Sequence, residues 1–346
     1  MTIQLGLDTF GDVTVDPSGN LLRHDQVLRN VVAEGVLADR VGVDVFGLGE
    51  HHRDDFAISA PEILLAAIAG QTERIRLGTA VTVLSTDDPV RLFERFSTLD
   101  AISNHRAEVI LGRGSFTESY GLFGHDLNDY DLLFEERLEI FSRLIREKSV
   151  TWQGKTRAPL DNVTVYPPLS KGLTAWIGVG GSPESVVRAV RYDMPMCLAI
   201  IGGDPRRFLP FVDLYKRAHA QVDRPVRPLA VHSPGHVAPT DAEAVAQAKA
   251  GYTVLRNRIG AERGWGPVQP GEFENEVANG SMYVGSPETV ARKIAATAKA
   301  LGLARFDMKY SQGTMPHDAM LRSIDLYGTK VMPMVRDLLA QETAPV

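Results

Sequence analysis

Short apolar runs alternate with longer stretches of helical periodicity along the whole chain. Runs at 3–8, 43–48, 76–83, 107–112, 174–178, 196–201, 227–233 and 304–310 are short enough, and rich enough in Val, Ile and Leu, to read as strands. Between and after them, apolar residues recur at the three- and four-residue spacing of a helix face over 24–40, 61–71, 89–102, 132–147, 183–192, 205–221, 241–255, 287–301 and 317–339. Pro61, Pro183 and Pro287 each open one of these stretches, where the missing proline N–H costs nothing.

Strands separated by helical stretches imply a parallel sheet. Eight strand–helix units with no break in composition predict a (β/α)8 TIM barrel, formed as a single domain over residues 1–346. A doubly wound open sheet is the competing topology. Two segments interrupt the alternation and read as insertions. Val150-Thr151-Trp152 and Val163-Thr164-Val165-Tyr166 flank a Gly- and Pro-containing piece, which predicts a small hairpin within about 149–168. Residues 256–286, with Trp265, Pro267 and Pro270, read as a lid, and the Gly-, Phe- and Tyr-rich segment 114–131 reads as a long loop.

Composition narrows the functional classes. Of 346 residues, 44% are hydrophobic and 23% charged, an ordinary globular balance. A net charge of −6, dispersed along the chain, argues against nucleic acid or an anionic membrane as partner. The one cysteine, Cys197, lies in an apolar run, so we expect no disulfide framework and no metal centre. No basic region followed by a long apolar stretch begins the chain and no run spans a membrane, so the expected setting is the cytoplasm.

The polar clusters fall just after strands, at the end where parallel α/β folds meet ligands. Glu50-His51-His52 follows the second strand, Ser85-Thr86-Asp87-Asp88 the third and Gly112-Arg113-Gly114-Ser115 the fourth. Gly178-Val179-Gly180-Gly181-Ser182 follows the fifth and Ser311-Gln312-Gly313 the eighth. The fifth-strand loop has the makings of a phosphate cradle. Glycines at 180 and 181 admit an anion to the backbone, Ser182 offers a hydroxyl, and the next helix presents free N–H groups. It departs from a dinucleotide fingerprint, because Pro183 stands at the third glycine position and no acidic residue follows at the expected distance. A mononucleotide or simple phosphate suits it better, and a tight glycine turn without a ligand is the plain alternative. Arg113, between two glycines, could reach the same phosphate. Adjacent histidines on extended chain point oppositely, which is poor spacing for joint metal binding.

These segments taken together resemble the luciferase-like monooxygenase family. The resemblance is carried by Gly49-Glu50-His51-His52, by 77–84 leading to Asp88-Pro89-Val90-Arg91, by Leu99-Asp100 with Ser103 and Arg106, by Gly112-Arg113-Gly114, by 180–185 and by 284–288. It implies a barrel enzyme, usually dimeric, that binds reduced FMN or the deazaflavin F420. It further implies that His51 faces the flavin in acid–base chemistry. The ring would rest on the third strand at Thr79, Ala80 and Val81, with a non-proline cis peptide at Ala80–Val81. Gly180, Gly181, Ser182, Ser185 and Arg113 would hold the phosphate. The expected activity is oxidation of a small organic substrate by O2 and reduced FMN delivered by a separate NAD(P)H:flavin reductase. F420-dependent hydride transfer, or flavin binding without turnover, are the alternatives. One departure stands out: His105 occupies a turn position where the family has glycine.

Overall fold

The structure is a computed structural model that describes residues 2–16 and 18–341. The chain runs β1 (Gln4–Thr9), α1 (His24–Arg40), β2 (Val45–Leu48), α2 (Pro61–Ala69), β3 (Arg76–Thr79), β4 (Thr82–Val83), α3 (Pro89–Ile102) and β5 (Glu108–Gly112). There follow α4 (Glu118–Leu122), α5 (Tyr130–Leu144), β6 (Val150–Trp152), β7 (Leu160–Val163), β8 (Thr174–Val179), α6 (Pro183–Arg191), β9 (Met196–Ala199) and α7 (Leu209–Gln221). The last part comprises β10 (Leu229–Val237), α8 (Asp241–Glu262), α9 (Glu272–Ala278), β11 (Tyr283–Gly285), α10 (Pro287–Leu301), β12 (Arg305–Lys309), α11 (His317–Leu326) and α12 (Met332–Gln341).

The main sheet is parallel, with order β3-β2-β1-β12-β10-β9-β8-β5-β4. A bridge between Leu77 and Ala107, together with the β4–β5 pairing, joins its two ends, so the sheet is a barrel and not an open doubly wound sheet. The third strand is one barrel position in two pieces, interrupted at the cis peptide Ala80–Val81.

Alternation along each strand sorts the side chains. Leu77, Val109, Leu111, Ile177, Leu198, Phe306 and Met308 face outward into the large core beneath the helices. The bore holds a much smaller apolar group, Ile110, Trp176, Cys197 and Ala230, with Val81 against it. The rest of the bore is charged. Arg305 donates from Nε to both oxygens of Asp307 at 2.8 Å and from Nη1 to Glu108, and Arg76 donates to the other oxygen of Glu108 at 3.0 Å. Arg305, Glu108 and Asp307 are all buried, and Arg305 also lies 5.3 Å over the Trp176 ring.

Several boundaries differ from the sequence pattern. The hairpin exists, but its second strand is Leu160–Val163 and not 163–166. The helix expected to end at 255 continues to Glu262, so the insertion begins inside a helix and carries α9 and β11. Strand β10 runs on to Val237 because β11 pairs with its extension. The 317–339 helix is broken by a wider turn at Tyr327–Val331. The turn at 103–106 survives the loss of its glycine. Asn104 and His105 take φ of 57° and 65°, and His105 Nδ1 meets Asp100 Oδ2 at 2.8 Å, a side-chain bond glycine could not make.

Removing Arg305 should leave buried Asp307 without its counter-charge and buried Glu108 with Arg76 alone. We expect Arg305→Met to lose about 3–5 kcal/mol of stability, read from the urea midpoint, with part recovered in Arg305→Met combined with Glu108→Gln.

Candidate functional site

At the carboxyl ends of the barrel strands lies a cavity of about 500 Å3. One wall is the segment after β2. Gly49 lets it pass close to its neighbours, since a Cβ there would stand 2.3 Å from the Phe10 ring and 3.0 Å from the Ala80 carbonyl oxygen. The Glu50 N–H donates to the Val81 carbonyl at 3.1 Å, and the Glu50 carboxylate accepts from the Val83 N–H at 2.8 Å. Glu50 thus grips the chain on both sides of Thr82, just after Val81. Its other oxygen meets His52 Nε2 at 2.9 Å. Glu50 and His52 are therefore spent on holding the wall and its neighbouring strand.

His51 is placed differently. Its ring lies 4.6 Å from Phe10, 4.6 Å from Phe56 and 5.2 Å from Phe116, and it lines the cavity. Burial among these rings, with Lys309 adding positive charge nearby, pushes its pKa down to about 3. The sequence suggested a group titrating near neutrality; the aromatic setting instead makes His51 a neutral imidazole.

The floor includes Ala80 and Val81. Thr79 is not among the residues lining the cavity. It is buried, and its hydroxyl bonds across to the Ile110 backbone at 3.3–3.4 Å and accepts from Thr82 at 3.0 Å, tying β3 to β5. Its position favours a support for the floor over a ligand contact.

Of the predicted phosphate residues, Arg113, Gly180 and Ser185 line the cavity, while Gly181 and Ser182 stand beside them outside its lining. The Ser182 hydroxyl caps α6 by accepting the Ser185 N–H at 3.3 Å, and the two hydroxyls are 2.9 Å apart. Arg113 Nη2 reaches Ser185 at 3.4 Å, while its Nη1 pairs with the exposed Asp131 at 2.8 Å. A Cβ placed on Gly180 or Gly181 would meet nothing within 4 Å, so the backbone there faces open space. Arg188 joins this group from the next turn of the helix, 3.3 Å from Ser185 and held by Glu135 at 2.8 Å. The segment from Gly285, which repeats the Gly-Ser-Pro-Glu of 181–184, only caps α10, with Asp241 accepting from its Ser286 N–H at 2.6 Å. Asp87 is taken up by Arg95, so the Ser85–Asp88 segment does not contribute to the cavity wall, whereas Gln312 does.

The 256–286 insertion is tied to the wall after β2 by charge. Arg53 donates to Asp55 at 3.0 Å and to Glu262 at 2.8 Å, and Arg258 meets Asp55 at 3.1 Å. Phe116 is covered by Arg53 at 4.3 Å, and Trp265 lies beside Arg256 and Arg263.

Four cavity groups escaped the sequence reading: Asp8, His232, Asp307 and Lys309. Three are on strands whose polar residues alternate with apolar ones. Arg305, Asp307 and Lys309 recur at every second position between Phe306 and Met308, the signature of charges on one strand face. Burial pushes Asp307 up to about 6.

A family profile described as luciferase-like monooxygenase matches residues 9–305. The chain belongs to the luciferase-like monooxygenase family. Among relatives, the alkanal monooxygenase alpha chain of Photorhabdus laumondii is 32% identical over 194 residues, 56% of this chain and 54% of that protein. The chain spans about half the length of the curated relatives it matches. The crystal structure of monooxygenase RslO1 from Streptomyces bottropensis superposes with a TM-score of 0.82 at 23% identity, covering 96% of this chain and 99% of that one. The oxygenating constituent of 3,6-diketocamphane monooxygenase from Pseudomonas putida, solved in complex with FMN, gives 0.78 at 21% identity, with 96% and 99% covered. This luciferase-like monooxygenase fold is a TIM barrel. Among the described residues no helix is long and apolar enough to cross a membrane, and no group of His, Cys, Asp and Glu could hold a metal ion.

His51 titrates near 6.5 in unfolded chain and near 3 when folded. Between those values the unfolded chain takes up a proton that the folded protein refuses, so this residue makes the protein less stable as pH falls from about 6.5 toward 3. Urea denaturation at pH 7 and pH 5 should show a smaller loss in His51→Gln than in the parent.

Proposed function

We propose that this protein is a flavin-dependent monooxygenase of the two-component type. It would take reduced FMN from a separate NAD(P)H:flavin reductase and use O2 to oxidise a small organic substrate. The observation that carries this reading is the anion cradle at one end of the cavity. Arg113, Ser182, Ser185 and Arg188 bring cationic and hydroxyl donors to one point beside an open glycine backbone and a helix N-terminus. That donor set fits a terminal phosphate, and the apolar body of the cavity fits a flat ring system. That an enzyme of the same fold was solved with FMN supports the choice of cofactor.

In this reading Arg113, Arg188, Ser182 and Ser185 hold the phosphate, Arg113 exchanging its exposed partner Asp131 for it. Ala80 and Val81 support the ring, with Glu50 fixing the backbone beneath. When bound, the reduced flavin supplies the electrons that activate O2. Phe10, Phe56 and Phe116 exclude water from the reacting edge. His51, as a neutral imidazole, offers one hydrogen-bond donor and one acceptor there. The lid over 256–286 and the 114–131 loop shape the substrate end. The family resemblance also suggests a homodimer, and the lone buried thiol suits the cytosol.

Calorimetric titration with FMN, reduced FMN and F420 tests this directly. FMN is expected to bind, and Arg113→Ala to weaken it by about 10- to 100-fold, the worth of one or two hydrogen bonds to a charged group. Tight F420 binding with no affinity for FMN would instead identify an F420-dependent hydride-transfer enzyme.

A further inference from the structure

Of the three imidazoles that line the cavity, His51 and His232 both pack on Phe10. His51 meets the edge of that ring at 4.6 Å, and His232 stacks on it at 5.9 Å with 13° between the planes. Their polar surroundings are opposite. His51 has no side-chain hydrogen bond to any described residue, whereas His232 Nδ1 meets Asp8 Oδ2 at 2.8 Å. Asp8 is buried and its second oxygen has no partner, so its charge is directed at the imidazole. The remaining nitrogen, Nε2, is left toward the cavity that His232 lines. The arrangement is that of an imidazole oriented by a carboxylate, built across β1 and β10 from residues 224 positions apart.

We propose that His232, oriented by Asp8, is a proton-transfer group of this cavity. The proposal rests on the monooxygenase reading above. In the step, the His232 Nε2–H bond breaks as an O–H bond forms on a basic oxygen bound in the cavity. The nitrogen keeps the electron pair. The ring is then neutral, still donating Nδ1–H to Asp8, and water returns the proton. Asp8 is a positioning residue, and its charge favours the protonated ring. Burial pushes His232 down, but the Asp8 carboxylate outweighs this and holds it above the usual 6.5. The other charged groups facing the ring are Asp307 and Lys309 on β12, the first acting with Asp8 and the second against it. On β9 the Cys197 thiol stays protonated because burial raises it.

Nitrogen-15 NMR of histidine-labelled protein without cofactor reads the dyad independently of any turnover. One ring, lost in His232→Gln, should titrate above 6.5 and carry its proton on Nδ1 when neutral. Its midpoint should fall in Asp8→Asn and return in Asp8→Glu. A His232 midpoint below 6.5 in the parent, or one indifferent to Asp8→Asn, overturns the proposal. With FMN binding confirmed by calorimetry in each variant, stopped-flow reoxidation of the reduced flavin by O2 is then followed against pH. The limb set by the dyad should vanish in His232→Gln. A limb unchanged in His232→Gln overturns the role of His232. Failure of the parent to bind any flavin removes the monooxygenase reading, while the NMR result still decides whether the dyad exists.

Discussion

The buried contact of Arg305 with Glu108 and Asp307 governs how this barrel is filled. A bore of branched apolar side chains would close the barrel as a solid core. Here the widest layer is a guanidinium gripping two carboxylates, with Arg76 completing the set and Trp176 lying under the cation. A buried charge must be matched in place, so the network pins β3, β5 and β12 in register. That registry carries Asp307 and Lys309 upward on the same face of β12, to the floor of the cavity. Stability and site are therefore built from one strand face.

Above that layer, electrostatics divides the cavity into distinct zones. The cradle beside α6 concentrates positive charge and donors. The aromatic box of Phe10, Phe56 and Phe116 is low in polarity and keeps His51 uncharged. Asp8 gives His232 the opposite tendency a short distance away. Two chemically identical side chains in one cavity thus differ in how readily they take a proton, because one has a carboxylate partner and the other has rings. The lid adds a further device, since the Arg53 and Arg258 pairs join the wall after β2 to the long helix α8. A change in the lid would be felt at the wall that carries His51.

Much of this was legible in the chain. Strand and helix periodicity predicted the parallel barrel, and the polar clusters after strands marked the mouth. The Ser182-Pro183 start was readable as a helix cap and the neighbouring glycines as an open approach. Thr79 was less legible: a hydroxyl at a strand end can face a ligand or a neighbouring strand, and here it bridges to β5. The hairpin and lid boundaries shifted because pairing partners such as β11 lie far along the sequence and extend a strand beyond its own apolar run.

The sequence by itself determined the periodicities, the caps, and the backbone freedoms at Gly180 and Gly181, all of which depend on neighbours along the chain. What only the tertiary structure decided is which charges meet. Glu108 finds Arg305 across 197 positions, and Asp8 finds His232 across 224. The charge state of an imidazole follows from the groups around it in space, because burial and Coulomb interaction act over a few ångströms and are blind to chain order. For that reason the Glu-His-His cluster drew attention in the sequence, while His232, which the fold pairs with Asp8 beside the cavity, stood unmarked inside an ordinary strand.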